Sequence, residues 1–114
     1  MSFLPAISDK AENAIRQTVR DWNLEKRSDI TLEKIAEEYN PAIRGWLTYY
    51  GKFYKSATVP LFRWLNRKLA LWGMRKYKGL VGVRQAVNWL ERIAAKQPSM
   101  FVHWQQGNRF ASGQ

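Results

Sequence analysis

Apolar residues recur along this chain at intervals of three and four, and short runs of strict apolar/polar alternation are nearly absent. That period is helical, and it predicts an all-α fold. Ala11, Ile15, Val19 and Trp22 mark a helix over 9–24, with Ser8 as its cap and Asp9 and Glu12 placed to complement the helix dipole. The polar run from Glu25 to Asp29 reads as a connection, after which Thr31 caps a short helix carrying Leu32, Ile35 and Ala36. Asn40-Pro41 predicts a boundary, because Asn caps helices and Pro is tolerated at a first helical position. Ile43, Trp46, Leu47, Tyr50, Phe53 and Tyr54 form the next stripe, and Ser56 to Pro60 restarts the pattern. Residues 60–78 make the longest block, closed by Gly79 and Gly82. The last helix spans 83–96 with Val83, Ala86, Val87, Leu90, Ile93 and Ala94 on one face, and Pro98 stops it. The expected architecture is a small bundle of four to five helices. Its three-helix core comes from the blocks starting near Ser8, Pro41 and Pro60, and the 83–96 helix packs across it. Residues 1–107 form the expected domain and 108–114 a mobile tail.

Composition narrows the function classes. At 114 residues the chain is one domain, and 46% hydrophobic with 14% aromatic residues is enough for a core. It contains no Cys and one His, which excludes disulfides, thiol chemistry and Cys- or His-rich metal sites. No apolar run approaches a membrane span and the N-terminus lacks a secretory pattern, so the expectation is a cytoplasmic protein without membrane contact. Phosphate-loop, dinucleotide and H-E-x-x-H signatures are absent. Glu37 and Glu38 are adjacent, but neighbouring helical residues diverge by about 100° and do not share a site. His103 has no partner His or Cys and reads as a structural hydrogen bonder. No catalytic group, metal or cofactor is expected.

The charge balance supplies the positive signal. Nineteen Lys and Arg against nine acids give +10. Residues 1–38 hold 6 basic and 8 acidic residues, whereas residues 39–114 hold 13 basic residues and one acid, Glu91. An excess that self-repelling calls for an anionic partner, and nucleic acid fits best.

Two blocks arrange these cations on helical faces. Arg44, Thr48, Lys52 and Lys55 lie along one side of the block after Pro41, away from the apolar stripe. Gly45 beside them admits two readings, close helix packing or close approach of a nucleic-acid backbone. Trp46 and Tyr50 read as core before stacking platform. In the 60–78 block, Leu61, Phe62, Leu65, Leu69 and Trp72 span a core arc of roughly 100°. Arg63, Arg67, Lys68, Arg75 and Lys78 occupy the remainder, with Trp64 and Leu71 projecting among them. That interleaving suits phosphate contact with stacking, a protein interface, or a second core contact. The isolated placement of Trp64 and Leu71 predicts that both are substantially exposed in the isolated domain, or covered by a crystal or dimer contact.

The segment Asn40-Pro41-Ala42-Ile43-Arg44-Gly45-Trp46-Leu47-Thr48-Tyr49-Tyr50 resembles the signature of the maturase-specific domain, the X or thumb region of group II intron reverse transcriptases. The similarity extends over most of the chain. Phe3-x-Pro5-x-Ile7-Ser8-x-Lys10-Ala11 is similar to the segment that follows the polymerase palm. Trp72 with Arg75-Lys76-Tyr77-Lys78 resembles the family's basic segment. Trp89-Leu90 and Pro98-x-x-Phe101-x-His103-Trp104-x-x-Gly107 resemble its C-terminal part. The resemblance implies a non-catalytic domain that binds structured group II intron RNA for splicing. In a longer protein it would also contact the RNA/DNA template–primer duplex and the fingers and palm of the reverse transcriptase. The chain departs from full-length members: it lacks the polymerase Tyr-x-Asp-Asp motif, and Thr48 stands where the family often has Asn. An excised domain or a truncated reading frame is expected.

The phosphate-contacting set expected from charge and placement is Arg44, Lys52, Lys55, Arg63, Arg67, Lys68, Arg75, Lys76 and Lys78, with Trp64 as a stacking residue. A DNA-binding helical module of a mobile element or regulator is the alternative, although the cations spread over several blocks and not one recognition helix. A protein–protein adaptor meeting its partner through Trp64 and Leu71 is the third reading.

Overall fold

The computed structural model describes residues 9–105, with the side chains of Asp9 and residues 50–58 left aside. The described residues form helices and connecting turns: α1 (Asp9–Asp21), a 3-10 turn (Leu24–Lys26), α2 (Leu32–Lys76), α3 (Val83–Lys96) and α4 (Val102–Gln105). The all-α bundle expected from the periodicity is present, and α3 has the predicted bounds. The Ser8 cap lies outside the described residues.

α1 buries Ile15 and Val19, one turn apart. Asn23 ends this segment in the left-handed region at φ 53°, a conformation its short polar side chain tolerates. The turn drives Leu24 into the core. Thr31 then caps α2 as its residue type predicts, its hydroxyl accepting the Lys34 N–H at 3.1 Å.

The predicted boundary at Asn40-Pro41 does not exist. α2 runs through both Pro41 and Pro60 for 45 residues. A proline inside a helix deletes one backbone hydrogen bond and ordinarily costs about 3 kcal/mol. Here Pro41 sits on the exposed side, while Ile35, Ala36 and Ile43 continue an unbroken buried stripe past it. Asn40 does not cap a helix start. Its amide donates to the Met100 carbonyl at 2.9 Å, and its oxygen accepts the Val102 N–H at 3.0 Å. Local propensity yields to tertiary packing at this point.

A straight helix of 45 residues would be about 67 Å long. The longest dimension of the molecule is 48 Å, and the end of α2 returns to the connection that precedes it. The Trp72 indole N–H donates to the Arg27 carbonyl at 2.9 Å, and Lys76 Nζ donates to the Ser28 carbonyl at 2.7 Å. The chain therefore doubles back within α2, giving two arms that pack side by side. Two members of the expected three-helix core are these arms, joined through helical backbone and not through a loop.

α3 lies across the second arm and buries Ala86, Leu90 and Ala94. The crossing is close enough to demand glycine: a Cβ on Gly73 would stand 2.4 Å from the Trp89 ring. Phe101, Val102, His103 and Trp104 then close the core. This last segment is joined to both arms of α2, through Asn40 on the first and Asn66 on the second.

Candidate nucleic-acid interface

On the second arm of α2, Leu61, Phe62, Leu65, Leu69 and Trp72 all point inward and are buried, as the wheel predicted. Two outer rows remain. Arg63 and Arg67 are one turn apart and exposed. Trp64, Lys68, Leu71 and Arg75 form the other row, which faces α1 and the 3-10 turn.

The expectation that Trp64 and Leu71 stand exposed needs correction, because both are half-buried. Trp64 packs against Ile15 and Leu61, with the Arg16 guanidinium 4.7 Å from its ring centroid. Arg20 and Lys68 approach the same ring at 5.9 and 5.4 Å. Cations over an aromatic face are attracted by its quadrupole, so α1 covers this ring with charge as well as apolar surface. Arg16 is itself held by Glu12 at 2.7 Å. Leu71 lines an open groove of about 600 Å³ together with Leu24, Glu25, Lys68, Met74 and Arg75. A wheel drawn for one helix has no knowledge of which neighbour crosses it.

The remaining candidates fall at several places. Arg44 is exposed on the first arm, Arg75 near the end of the second, and Lys78 in the turn beyond it. Lys76 is half-buried, bonded to Ser28 and placed 5.7 Å from the ring centroids of both Trp72 and Tyr77. It fastens the end of α2 to the connection that precedes the helix. The side chains of Lys52 and Lys55 lie outside the described residues, as do those of Tyr50, Phe53 and Tyr54. Trp46 is half-buried and stacks on Trp22 at 5.9 Å, on the core side as expected.

Sequence reasoning passed over Arg84 and Arg92, which are exposed on α3 and were visible only as part of the charge count. It also passed over Arg16 and Arg20, because the first third of the chain balances its own charge. Nothing in their spacing announced that they would join Lys68 around Trp64.

Glu12, Glu37 and Glu38 are each held in an ion pair. Arg27 makes a two-pronged contact with Glu38 at 2.9 and 3.0 Å and donates to the Tyr39 hydroxyl at 2.6 Å. Those hydrogen bonds raise the Arg27 pKa, and the Arg27 bond holds Glu38 below the usual carboxylate range. Glu37 bonds Lys34 instead, so the adjacent carboxylates diverge as predicted. Among the described residues no group of His, Cys, Asp and Glu is placed to hold a metal ion, and no helix is long and apolar enough to cross a membrane.

His103 has the structural role expected of it. The Trp104 indole N–H can only donate, and it meets an Asn66 side-chain atom at 2.9 Å, which identifies that atom as the oxygen. His103 Nε2 lies 2.7 Å from the same oxygen and must carry the proton. Nδ1 is left as a bare acceptor, buried without a partner. Burial lowers the imidazole pKa to about 3.

The family model for the group II intron maturase-specific domain matches residues 12–89. The chain belongs to that family. The matched span holds most of α1, all of α2 and the first half of α3, and thus every cation proposed from the sequence. A maturase-specific domain is distinct from the catalytic polymerase domain. No curated protein and no solved structure gives a match to this maturase-specific chain.

Proposed function

We propose that this maturase-specific domain is a non-catalytic RNA-binding module that grips structured group II intron RNA through its sugar–phosphate backbone and shape. The observation that carries the reading is the charge distribution on the fold. Beyond Glu38, α2 contains no acidic residue, while Arg44, Arg63, Arg67 and Arg75 project from it into solvent and Lys78 follows in the next turn. Each cation that neutralises a phosphate releases condensed counterions, so such a surface binds in proportion to the charge it presents. A-form RNA is read mainly by backbone and shape, which suits cations distributed over two arms and a turn. In a longer protein the same surface would meet the template–primer duplex and neighbour the fingers and palm.

Fluorescence anisotropy with a labelled group II intron transcript, titrated over salt, tests this. Contact with about six phosphates gives a log–log slope near −4 to −5. Replacing Arg63 and Arg67 with Gln should make the slope shallower by roughly 1.5 to 2 and leave the melting temperature unchanged. A wild-type slope shallower than about −2 would show that this surface is not the one that binds. Competition by duplex DNA as effective as by structured RNA would favour a DNA-binding module instead.

A further inference from the structure

We infer that the outer face of the first arm of α2, centred on Gly45, is a seat for RNA backbone, with Arg44 and Tyr49 on either side of the contact. The inference rests on the RNA-binding function proposed above and names one place where that RNA comes closest.

Gly45 lies well inside α2, where glycine is less stable than alanine because it loses more backbone freedom. Gly73, on the second arm, has a reason within the chain: any side chain there would strike Trp89. Among the described residues Gly45 has none, since a Cβ built on it would meet no heavy atom of theirs within 4 Å. Of the two readings open from the sequence, close packing against another of the described helices is therefore removed. The reading that remains is close approach of a nucleic-acid backbone.

The surroundings suit an anionic ligand. Ile43 is fully buried, so the opposite side of this arm carries the exposed residues Pro41, Arg44, Gly45, Thr48 and Tyr49. Tyr49 lies one turn beyond Gly45 and is 70% exposed. An aromatic ring on a basic surface is a stacking platform that accepts any base, and a guanidinium beside it contacts phosphate. The bare glycine between them lets a sugar–phosphate chain reach the helix backbone with no side chain in the way. No carboxylate on α2 follows Glu38 to repel it.

The test separates stability from binding. Gly45→Ala, Tyr49→Ala and Tyr49→Phe are made in the full chain. Each is measured by thermal melting and by anisotropy with the same group II intron transcript at fixed salt. Gly45→Ala should raise the Tm by roughly 3–6 °C, because alanine is the better helix former and the space is empty. The same variant should bind the transcript about fivefold or more weakly, since the added methyl enters a closed contact. Tyr49→Ala should weaken binding by roughly tenfold and Tyr49→Phe should retain it, as stacking requires the ring and not the hydroxyl. A more stable Gly45→Ala variant with unchanged RNA affinity, beside a wild type that binds, overturns the seat alone. A wild type that does not bind the transcript overturns the RNA-binding function and the seat with it.

Discussion

Acidification from pH 7 to pH 5 should destabilise this domain by about 2 kcal/mol through one residue. His103 is the single histidine of the chain, it is fully buried, and its pKa lies near 3. In the unfolded chain an imidazole titrates near 6.5. The folded-state pKa is thus depressed, so across this range the unfolded state binds more protons than the folded state. Stability is complete above about pH 6.5 and declines as pH falls toward the folded pKa. Between pH 7 and 5 the unfolded imidazole takes up most of a proton while the folded one takes up almost none. Integrating the linkage relation gives about 2 kcal/mol, and any folded pKa below about 4 gives the same figure. The physical cause is specific: protonating Nδ1 places a charge and a new donor where no acceptor exists. Arg27 holds the Glu38 carboxyl below its ordinary value, which already lies below pH 5, so the Arg27–Glu38 pair contributes little to the difference. Urea unfolding at matched ionic strength reads the effect as a midpoint lowered by about 1–2 M at pH 5. His103→Gln, which cannot ionise, should give midpoints that hardly differ between the two pH values. Superimposable wild-type curves at pH 7 and 5 would refute the argument, as would a His103→Gln variant with the wild-type pH dependence.

Two further substitutions probe the packing. Gly73→Ala should destabilise by about 2 kcal/mol or more despite the better helix propensity of alanine, because its methyl meets the Trp89 ring on a crowded crossing; thermal melting of the variant checks the sign. Trp64→Ala should cost about 2 kcal/mol by urea unfolding, since the ring packs between Ile15, Leu61 and the Arg16 guanidinium; a loss within about 0.5 kcal/mol would place it with ordinary surface residues.

The helices were legible because their apolar periods and caps are local. Thr31, the α3 stripe and the buried set from Leu61 to Trp72 all follow from spacing. The passage of α2 through Pro41 was not legible, because it depends on Ile43 continuing a buried stripe and on Asn40 bonding residues sixty positions away. Asn66 gave no signal either: a polar residue between Leu65 and Leu69 looks like a surface position until His103 and Trp104 arrive to bond it. For the interface, the sequence located the charge but not its companions. It placed Arg63 and Arg67 in the open, yet it could not show that Trp64 is roofed by Arg16 or that Lys76 is committed to Ser28. Those facts belong to the crossing of elements, which a helical wheel does not contain.

The segment 101–104 touches both arms of the doubled helix, holding Asn40 on one side and Asn66 on the other. Neither arm can swing away from the other without first giving up contacts to these same few residues. Partial openings that would otherwise be independent are thereby forced to share one event, and their free energies converge on that of global unfolding. In hydrogen exchange the core amides of the two arms would then report one common protection level, where two separately hinged helices would report two.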